Sequence, residues 1–493
     1  MDDADAAGAQ ALKAQGRALI QECAFVAGRR VAAADDARVE VDDPAEETVL
    51  GVVPDLPAEE VESAIRSAAE AFPAWSRTPQ AQRAACLRRW AALVDDNEAG
   101  LAALLSLENG KPFEEARGEI RYANGFIKWF AGVAEELRGE VAESPLPGHT
   151  ILTLREAVGP VAVITPWNFP AAMITRKLAA AFAAGCTAVV KPASQTPFTA
   201  IALCELALEA GVPEGAFSVV TGESGRIGRL LTASPLIRKL SFTGSTPVGR
   251  RLMEQCAPTL KRLSMELGGA APLVVFEDAD LDVAVAETLK GKFRNAGQTC
   301  VCPNRVYVHR ELFAAFVEQL ADAVANLAVG SPFEPGVKVG PLIDMKGVAK
   351  VEDHVRLARA SGAEAVVGGD RHARGGRFFQ PTVLAGGDDE LFRREETFGP
   401  VVPVFPFDDE AEALARANHS DFGLAAFVFT RDLDRAFRFA RGLEDGIVGV
   451  NAGLISNPVV PFGGVKQSGF GREGSIYGID EYLSVKSVTL ALR

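Results

Sequence analysis

Apolar positions change their period along this chain, and the change marks out its elements. Between Pro57 and Trp75 they recur as Val61, Ile65, Ala68 and Phe72 behind an acidic first turn, which predicts a helix. Past Gly159 short unbroken apolar runs take over. Val161 to Thr165, Thr187 to Val190, Phe217 to Val220 and Leu240 to Phe242 read as strands, separated by helical stretches such as Thr199 to Ala210. Such alternation builds a parallel sheet covered by helices on both faces. A second alternating block follows Glu266: a helix near Leu281 to Lys292, a strand at Arg305 to His309, a helix at Glu311 to Leu327, then strands at Val401 to Phe405, Ala425 to Phe429 and Gly446 to Asn451. Two α/β domains meeting near Glu266 are expected. The segment Tyr482 to Leu492 alternates loosely and is rich in Val and Leu, like a strand that pairs elsewhere.

Composition narrows the class. A chain of 493 residues exceeds what one core usually serves, and 48% hydrophobic with 24% charged residues is ordinary for a soluble globular protein. A net charge of −14 argues against a nucleic-acid surface but leaves small anionic substrates open, since these answer to local arginines. No stretch approaches the roughly 20 apolar residues needed to cross a bilayer. The Ala-rich start, Met1 to Gln21, has no basic region followed by an apolar one, so a frayed N-terminus and a cytoplasmic location are expected.

Seven cysteines, an odd number scattered along the chain, do not form a disulfide framework. Cys23, Cys86, Cys186, Cys204 and Cys256 lie in apolar or helical surroundings and read as inert core thiols. The histidines are dispersed and no cysteine pair has zinc spacing, so no metal is expected. Gly469-Phe470-Gly471-Arg472-Glu473-Gly474 matches the dinucleotide fingerprint G-x-G-x-x-G, but no apolar strand precedes it and too little chain follows for a β-α-β unit. A turn is the better reading.

The run Phe293-Arg294-Asn295-Ala296-Gly297-Gln298-Thr299-Cys300-Val301-Cys302 joins a candidate nucleophilic thiol to an arginine that could hold an anion. Cys300 falls in a polar, loop-like stretch between helix and strand, where a thiol is reachable; a packed core thiol is the bland alternative. Asn168 sits in the Pro-bracketed loop past Val161 to Thr165, suited either to an oxyanion donor or to an ordinary turn. Glu266 ends an apolar run before Gly268-Gly269, which suits a partly buried base as well as a solvated strand end. Lys191-Pro192-Ala193-Ser194 follows a strand, where side chains meet ligands bound outside the sheet. Gly244 and Ser245 open a helix whose N-terminus suits a pyrophosphate. Glu396, within the charged run Arg393 to Glu396, reads by itself as a solvated face.

Four segments, Thr165-Pro166-Trp167-Asn168-Phe169-Pro170, Met265-Glu266-Leu267-Gly268-Gly269, the Cys300 run and Glu395-Glu396-Thr397-Phe398-Gly399-Pro400, resemble the aldehyde dehydrogenase superfamily in order and separation, from about Val26 onward. The resemblance implies an aldehyde dehydrogenase-like α/β fold of two parallel-sheet domains with a small oligomerisation arm. The cofactor-binding domain would take residues 1–140 and 155–265, the catalytic domain 266–452, the arm 141–154 and 475–493, and an active-site return segment 453–474. It implies Cys300 as nucleophile, Glu266 as base for thioester hydrolysis, and Asn168 with the Cys300 N–H as oxyanion hole. Trp167, Lys191, Ser194, Gly244, Ser245, Leu267, Glu396 and Phe398 would contact the cofactor. Ser194 stands where NAD-selective members carry a glutamate, so NADP is admissible and expected at least as readily as NAD. Arg226 is expected at a solvated helix start, with a cation beside the 2′-phosphate as the alternative. Ala270-Ala271 depart from the family's usual polar residue, which puts further bonding near Glu266 in doubt.

Within the family the closest resemblance is to succinate-semialdehyde dehydrogenases. There the positions of Arg176, Arg294 and Ser456 grip the substrate's distal carboxylate, a task suited to paired guanidiniums. The expected reaction oxidises succinate semialdehyde to succinate with reduction of NAD(P)+, in a homo-oligomer (dimer or tetramer) with no nucleic-acid or membrane partner. Glutarate semialdehyde, one methylene longer, is the alternative, because such homologues differ by only about 1–3 kcal/mol in one pocket. A non-catalytic binding protein and a thiol-disulfide exchange enzyme are weaker rivals, the latter lacking a C-x-x-C pair. Cys302 is a candidate redox partner for Cys300, against a core thiol at the start of the next strand.

Overall fold

The computed structural model describes residues 3–34 and 37–491. Strands Val161–Ile164, Ala188–Lys191, Phe217–Val219 and Lys239–Thr243 lie within one residue of their expected limits. They form one sheet in the order Arg29–Ala32, Cys23–Val26, Phe217–Val219, Ala188–Lys191, Val161–Ile164, Lys239–Thr243, Arg262–Glu266, Gly469–Phe470. The run from Phe217–Val219 to Arg262–Glu266 is parallel, and antiparallel strands close both edges.

The period-2 rule explains why these strands are apolar throughout. Val161 and Val163 enter one core with helices Gln80–Asp96, Phe113–Glu135, Ala172–Ala184 and Pro197–Glu209, whereas Ala162 enters another with helices Ala58–Arg77, Ser224–Ala233 and Thr246–Cys256. Val190 and Val189 divide the same way.

The second sheet runs Glu364–Val367, Thr382–Ala385, Val401–Phe407, Arg305–His309, Pro272–Val275, Ala425–Phe429, Ile447–Val450, and only its first pair is antiparallel. A third, small sheet pairs Leu483–Ala491 along the whole of His149–Ala157, with Glu140–Glu143 at the far edge. Val141, Leu154, Val485 and Leu490 stand exposed on it.

The N-terminus departs from expectation. Asp3–Ala18 is a helix, not a frayed end, and it packs on helix Glu98–Asn109 with Ala9 and Leu12 against the core. Alanine is the strongest helix former, and docking supplies what a short isolated helix lacks. Met1 and Asp2 of that segment, Leu492 of the expected last strand, and Arg493 lie outside the described residues. Among the described residues no helix is long and apolar enough to cross a membrane, and no cluster of three or more His, Cys, Asp or Glu side chains could hold a metal ion.

Candidate active site

Parallel strands send their carboxyl ends, and the loops after them, to one side of a sheet, where α/β folds bind ligands. The loop after Val161–Ile164 carries Asn168, which is buried. Its carbonyl accepts from Asn295 Nδ2 at 3.0 Å, and its own Nδ2 donates to the Gln298 carbonyl at 3.0 Å, leaving one amide hydrogen free.

Both partners belong to the turn that presents Cys300. Asn295, Ala296 and Gly297 have φ of 50°, 53° and 74°, a left-handed run that costs energy at the two residues bearing a Cβ. At Gly297 a Cβ would strike the Gly399 carbonyl, so only glycine lets this turn rest on the Phe398-Gly399-Pro400 segment. Gln298 locks the turn, donating to Asn295 O at 3.0 Å and accepting from Ile343 N–H at 2.9 Å.

Cys300 is partly exposed. Burial of its sulfur pushes the thiol up to about 12, Glu396 and Glu266 add to the rise, and Arg176 opposes it. Cys302 is buried, with Sγ 3.4 Å from Gly297 O and 3.7 Å from Lys292 Nζ. All seven cysteines are free, and the five read as core thiols are buried.

Glu266 ends its strand 2% exposed, with both carboxylate oxygens lacking a hydrogen-bond partner. Burial, reinforced by Glu473, raises it well above the usual carboxylate range. Ala270 and Ala271 turn their carbonyls to Arg305 and Asn304 and give Glu266 no bond. The G-x-G-x-x-G run is an edge strand and turn against this same place: Gly469–Phe470 pairs antiparallel with Met265 and Glu266. Its Glu473 is buried in ion pairs with Arg176 and Lys177, which hold it below the usual range although burial alone would raise it. Nothing in sequence spacing singles out Glu473, because its partners lie on a helix nearly 300 residues earlier.

Two cavities meet at Cys300. The larger, about 360 Å³, is lined by Trp167, Gly244, Ser245, Leu267, Glu396 and Phe398 and also reaches Asn168. Trp167 and Phe398 pack edge-on at 5.4 Å between ring centroids. Thr243 Oγ1 and Glu396 Oε1, both from this wall, are buried without partners, as a site built for a polar cofactor requires. Burial raises Glu396 to about 7, against the pull of Lys350 and Lys292. Asn304, which the sequence did not single out, holds its segment, donating to Glu395 O at 2.9 Å and accepting from Thr397 N–H at 3.0 Å.

Lys191 and Ser194 stand apart from that lining, at the end of the neighbouring strand. Lys191 Nζ donates to Ser194 Oγ at 3.3 Å and Ser224 Oγ at 2.8 Å, and burial lowers it to about 8. Arg226 stands, as expected, at an exposed helix start, but its guanidinium turns inward. It is paired with Asp55 and donates to the Leu56 carbonyl at 2.8 Å, because helix Ser224–Ala233 opens against the loop after strand Thr48–Pro54.

The smaller cavity, a cleft of about 10 Å³, brings together Arg176, Arg294 and Ser456 as expected neighbours, with Tyr122, Phe169 and Phe462 as unexpected ones. The guanidinium of Arg176 lies 4.4 Å over the Phe462 ring and that of Arg294 lies 4.8 Å over Phe169. Arg176 Nη2 and Arg294 Nε are buried with no hydrogen-bond acceptor, whereas Arg176 Nε faces the Glu473 carboxylate. Unsatisfied buried guanidinium donors call for an anion.

Known proteins resemble this chain over nearly its whole length. Residues 31–488 match the model of the aldehyde dehydrogenase family. The chain is 52% identical over 479 residues to the succinate-semialdehyde dehydrogenase (NADP(+)) of Escherichia coli K12, covering 96% of this chain and 98% of that protein. It is 51% identical over 473 residues to the glutarate-semialdehyde dehydrogenase of Pseudomonas aeruginosa, with coverage of 96% and 98%. The crystal structure of succinate-semialdehyde dehydrogenase from Burkholderia pseudomallei, 51% identical, superposes with a TM-score of 0.95 over 96% of this chain and 98% of that one.

Proposed function

This chain belongs to the aldehyde dehydrogenase family, and from that premise we propose that it oxidises succinate semialdehyde to succinate with reduction of NAD(P)+, through a thioester on Cys300. The observation that carries the substrate is the pair of unpartnered donors, Arg176 Nη2 and Arg294 Nε, in a cleft that opens at Cys300. A distal carboxylate gripped there brings the aldehyde carbon to the thiol, on the side facing the larger cavity.

The Cys300 thiolate adds to the carbonyl carbon, forming the C–S bond and leaving the negative charge on oxygen. Arg176 favours the thiolate form from within the cleft. The free amide hydrogen of Asn168 and the backbone N–H of Cys300 face the charged oxygen, each such donor contributing about 3 kcal/mol to the barrier reduction. NAD(P), when bound, supplies the two-electron oxidant that takes the aldehyde hydrogen. Trp167, Gly244, Ser245, Leu267, Glu396 and Phe398 hold its nicotinamide half and pyrophosphate, and Lys191 and Ser194 its adenosine ribose. Glu266 then takes a proton from water, which adds to the thioester carbon; the C–S bond breaks and the acid leaves. A carboxylate raised by burial holds and releases a proton closer to neutral pH than a solvated one.

Glutarate semialdehyde is the second reading, favoured by the Pseudomonas aeruginosa relative. We further assign residues 1–140 and 155–265 to cofactor binding, 266–452 to catalysis, 453–474 to an active-site return and 141–154 with 475–493 to an oligomerisation arm of a cytoplasmic dimer or tetramer. The exposed apolar side chains of the small sheet support that arm. The experiment is to follow reduced nicotinamide with succinate semialdehyde, glutarate semialdehyde and an uncharged aldehyde of like length. Succinate semialdehyde should give the highest kcat/KM; equal values for the uncharged aldehyde overturn the anion cleft.

A further inference from the structure

A short buried segment reaches across to the backbone of the Asn168 loop and of the start of helix Pro197–Glu209. It is Glu108-Asn109-Gly110-Lys111, at the end of helix Glu98–Asn109, joined by Glu119 one helix later. Gly110, at φ 85°, turns the chain where a Cβ would press on Pro341 and Pro44. Glu108 accepts from Phe198 N–H at 2.8 Å and Thr199 N–H at 2.9 Å, in the first turn of helix Pro197–Glu209. Asn109 Nδ2 donates to the Trp167 carbonyl at 2.9 Å. Lys111 Nζ donates to the Asn168 carbonyl at 3.0 Å, lies 3.8 Å from the Phe169 ring centroid and is ion-paired with Glu119. Glu119 Oε1 accepts from Ala171 N–H at 3.0 Å and Ala172 N–H at 3.3 Å.

An ion pair this deeply buried seldom stabilises a fold more than apolar side chains of the same volume. What Lys111 and Glu119 supply that apolar groups cannot is a donor and an acceptor at fixed points on irregular backbone, on either side of Phe169 and Pro170. The Asn168 carbonyl is thereby held from two directions, by Lys111 Nζ and by Asn295 Nδ2. With that peptide plane fixed and Nδ2 bonded to the Gln298 carbonyl, the side-chain amide is held in one direction.

We propose that Lys111 and Glu119 form a positioning pair that orients the Asn168 amide toward the developing oxyanion. The inference rests on the reading of Asn168 as oxyanion donor. A misplacement of about 1 Å at a reacting centre costs on the order of 100-fold, and losing an oxyanion donor costs about 100- to 1,000-fold.

The test is the pre-steady-state burst of reduced nicotinamide in the full-length enzyme carrying Lys111→Met with Glu119→Gln, which removes both charges of the pair together. The burst should slow about 10- to 100-fold while the cofactor dissociation constant and the aldehyde KM stay within a few-fold. Adding the same two changes to Asn168→Ala should slow that variant no further, since the pair acts through a group already removed. A burst near the wild-type rate, or a full further loss on the Asn168→Ala background, overturns the pair's role but leaves Asn168 as donor. A wild-type burst in Asn168→Ala overturns the donor reading itself. Should the double variant not fold, Lys111→Arg, which keeps the charge but cannot place Nζ, must show the same slowed burst and non-additivity.

Discussion

Arg176 lies against Glu473 at ion-pair distance without the alignment of a hydrogen bond, so one of the two guanidiniums in the anion cleft is partly neutralised before substrate arrives. Arg294 has no ion-pair partner among the described residues. Arg294→Ala should therefore cost more on succinate semialdehyde than Arg176→Ala: about 2–5 kcal/mol, or roughly 30- to 4,000-fold in kcat/KM. Both losses should exceed those on an uncharged aldehyde of similar length, and the ratio between aldehydes is the quantity to measure. Proportional losses on both substrates remove the clamp.

Cys300 is predicted to be a sluggish nucleophile in the free enzyme. With the thiol pushed up to about 12, the thiolate fraction is small at neutral pH and grows about tenfold per pH unit well past pH 9. Iodoacetamide inactivation without cofactor should rise with that unit slope from pH 7 to 10. A plateau below pH 9 would show that the thiolate is already formed. Cys300→Ala should abolish turnover and leave cofactor binding intact.

Glu266→Gln separates the two halves of the reaction. The thioester should form and its hydrolysis stall, so a single-turnover burst survives while steady-state turnover falls by about 100-fold or more. Loss of burst and steady state in equal measure places Glu266 in the first half.

The fold was legible where one strand meets two cores. Val161 to Val163 and Ala188 to Val190 are apolar at every position because helices cover both faces, and such runs stand out in a bare sequence. The N-terminal helix was not, since its stability comes from docking on helix Glu98–Asn109 and not from a strong periodic pattern. Within the site, Cys300, Asn168 and Glu266 sit in motifs of their own. Glu473 and Lys111 could not be seen: each is one charged residue among many, and what distinguishes it is a buried partner distant in the chain. The Asp55 partner of Arg226 is hidden from the sequence for the same reason, lying 171 residues away.

Glu396 predicts a pH dependence for the cofactor. Burial raises it to about 7, and only the ionised form accepts two ribose hydroxyls. As pH falls through 7 the carboxyl gains a proton and loses one acceptor lone-pair set, so the NAD(P) dissociation constant should rise about tenfold from pH 8 to pH 6. Glu396→Gln should bind weakly with no such dependence. A wild-type dissociation constant that is flat over this range detaches Glu396 from the ribose.

Ser194 is expected to set the choice between NADP and NAD. Its hydroxyl lies 3.3 Å from Lys191 Nζ, and it carries no charge to repel a 2′-phosphate. Arg226, the other cation considered for that phosphate, is engaged by Asp55, so acceptance of NADP is expected to rest chiefly on Lys191 and on the absence of an acid at 194. In Ser194→Glu the new carboxylate would accept the ribose hydroxyls of NAD and face the 2′-phosphate of NADP as a like charge, a juxtaposition that costs several kcal/mol. The ratio of kcat/KM for NADP over NAD should fall by about 100-fold or more, chiefly through KM for NADP. The wild type should use NADP at least as well as NAD. A wild type that strongly prefers NAD, or a Ser194→Glu enzyme whose ratio does not move, would mean that the phosphate is read by residues other than Ser194.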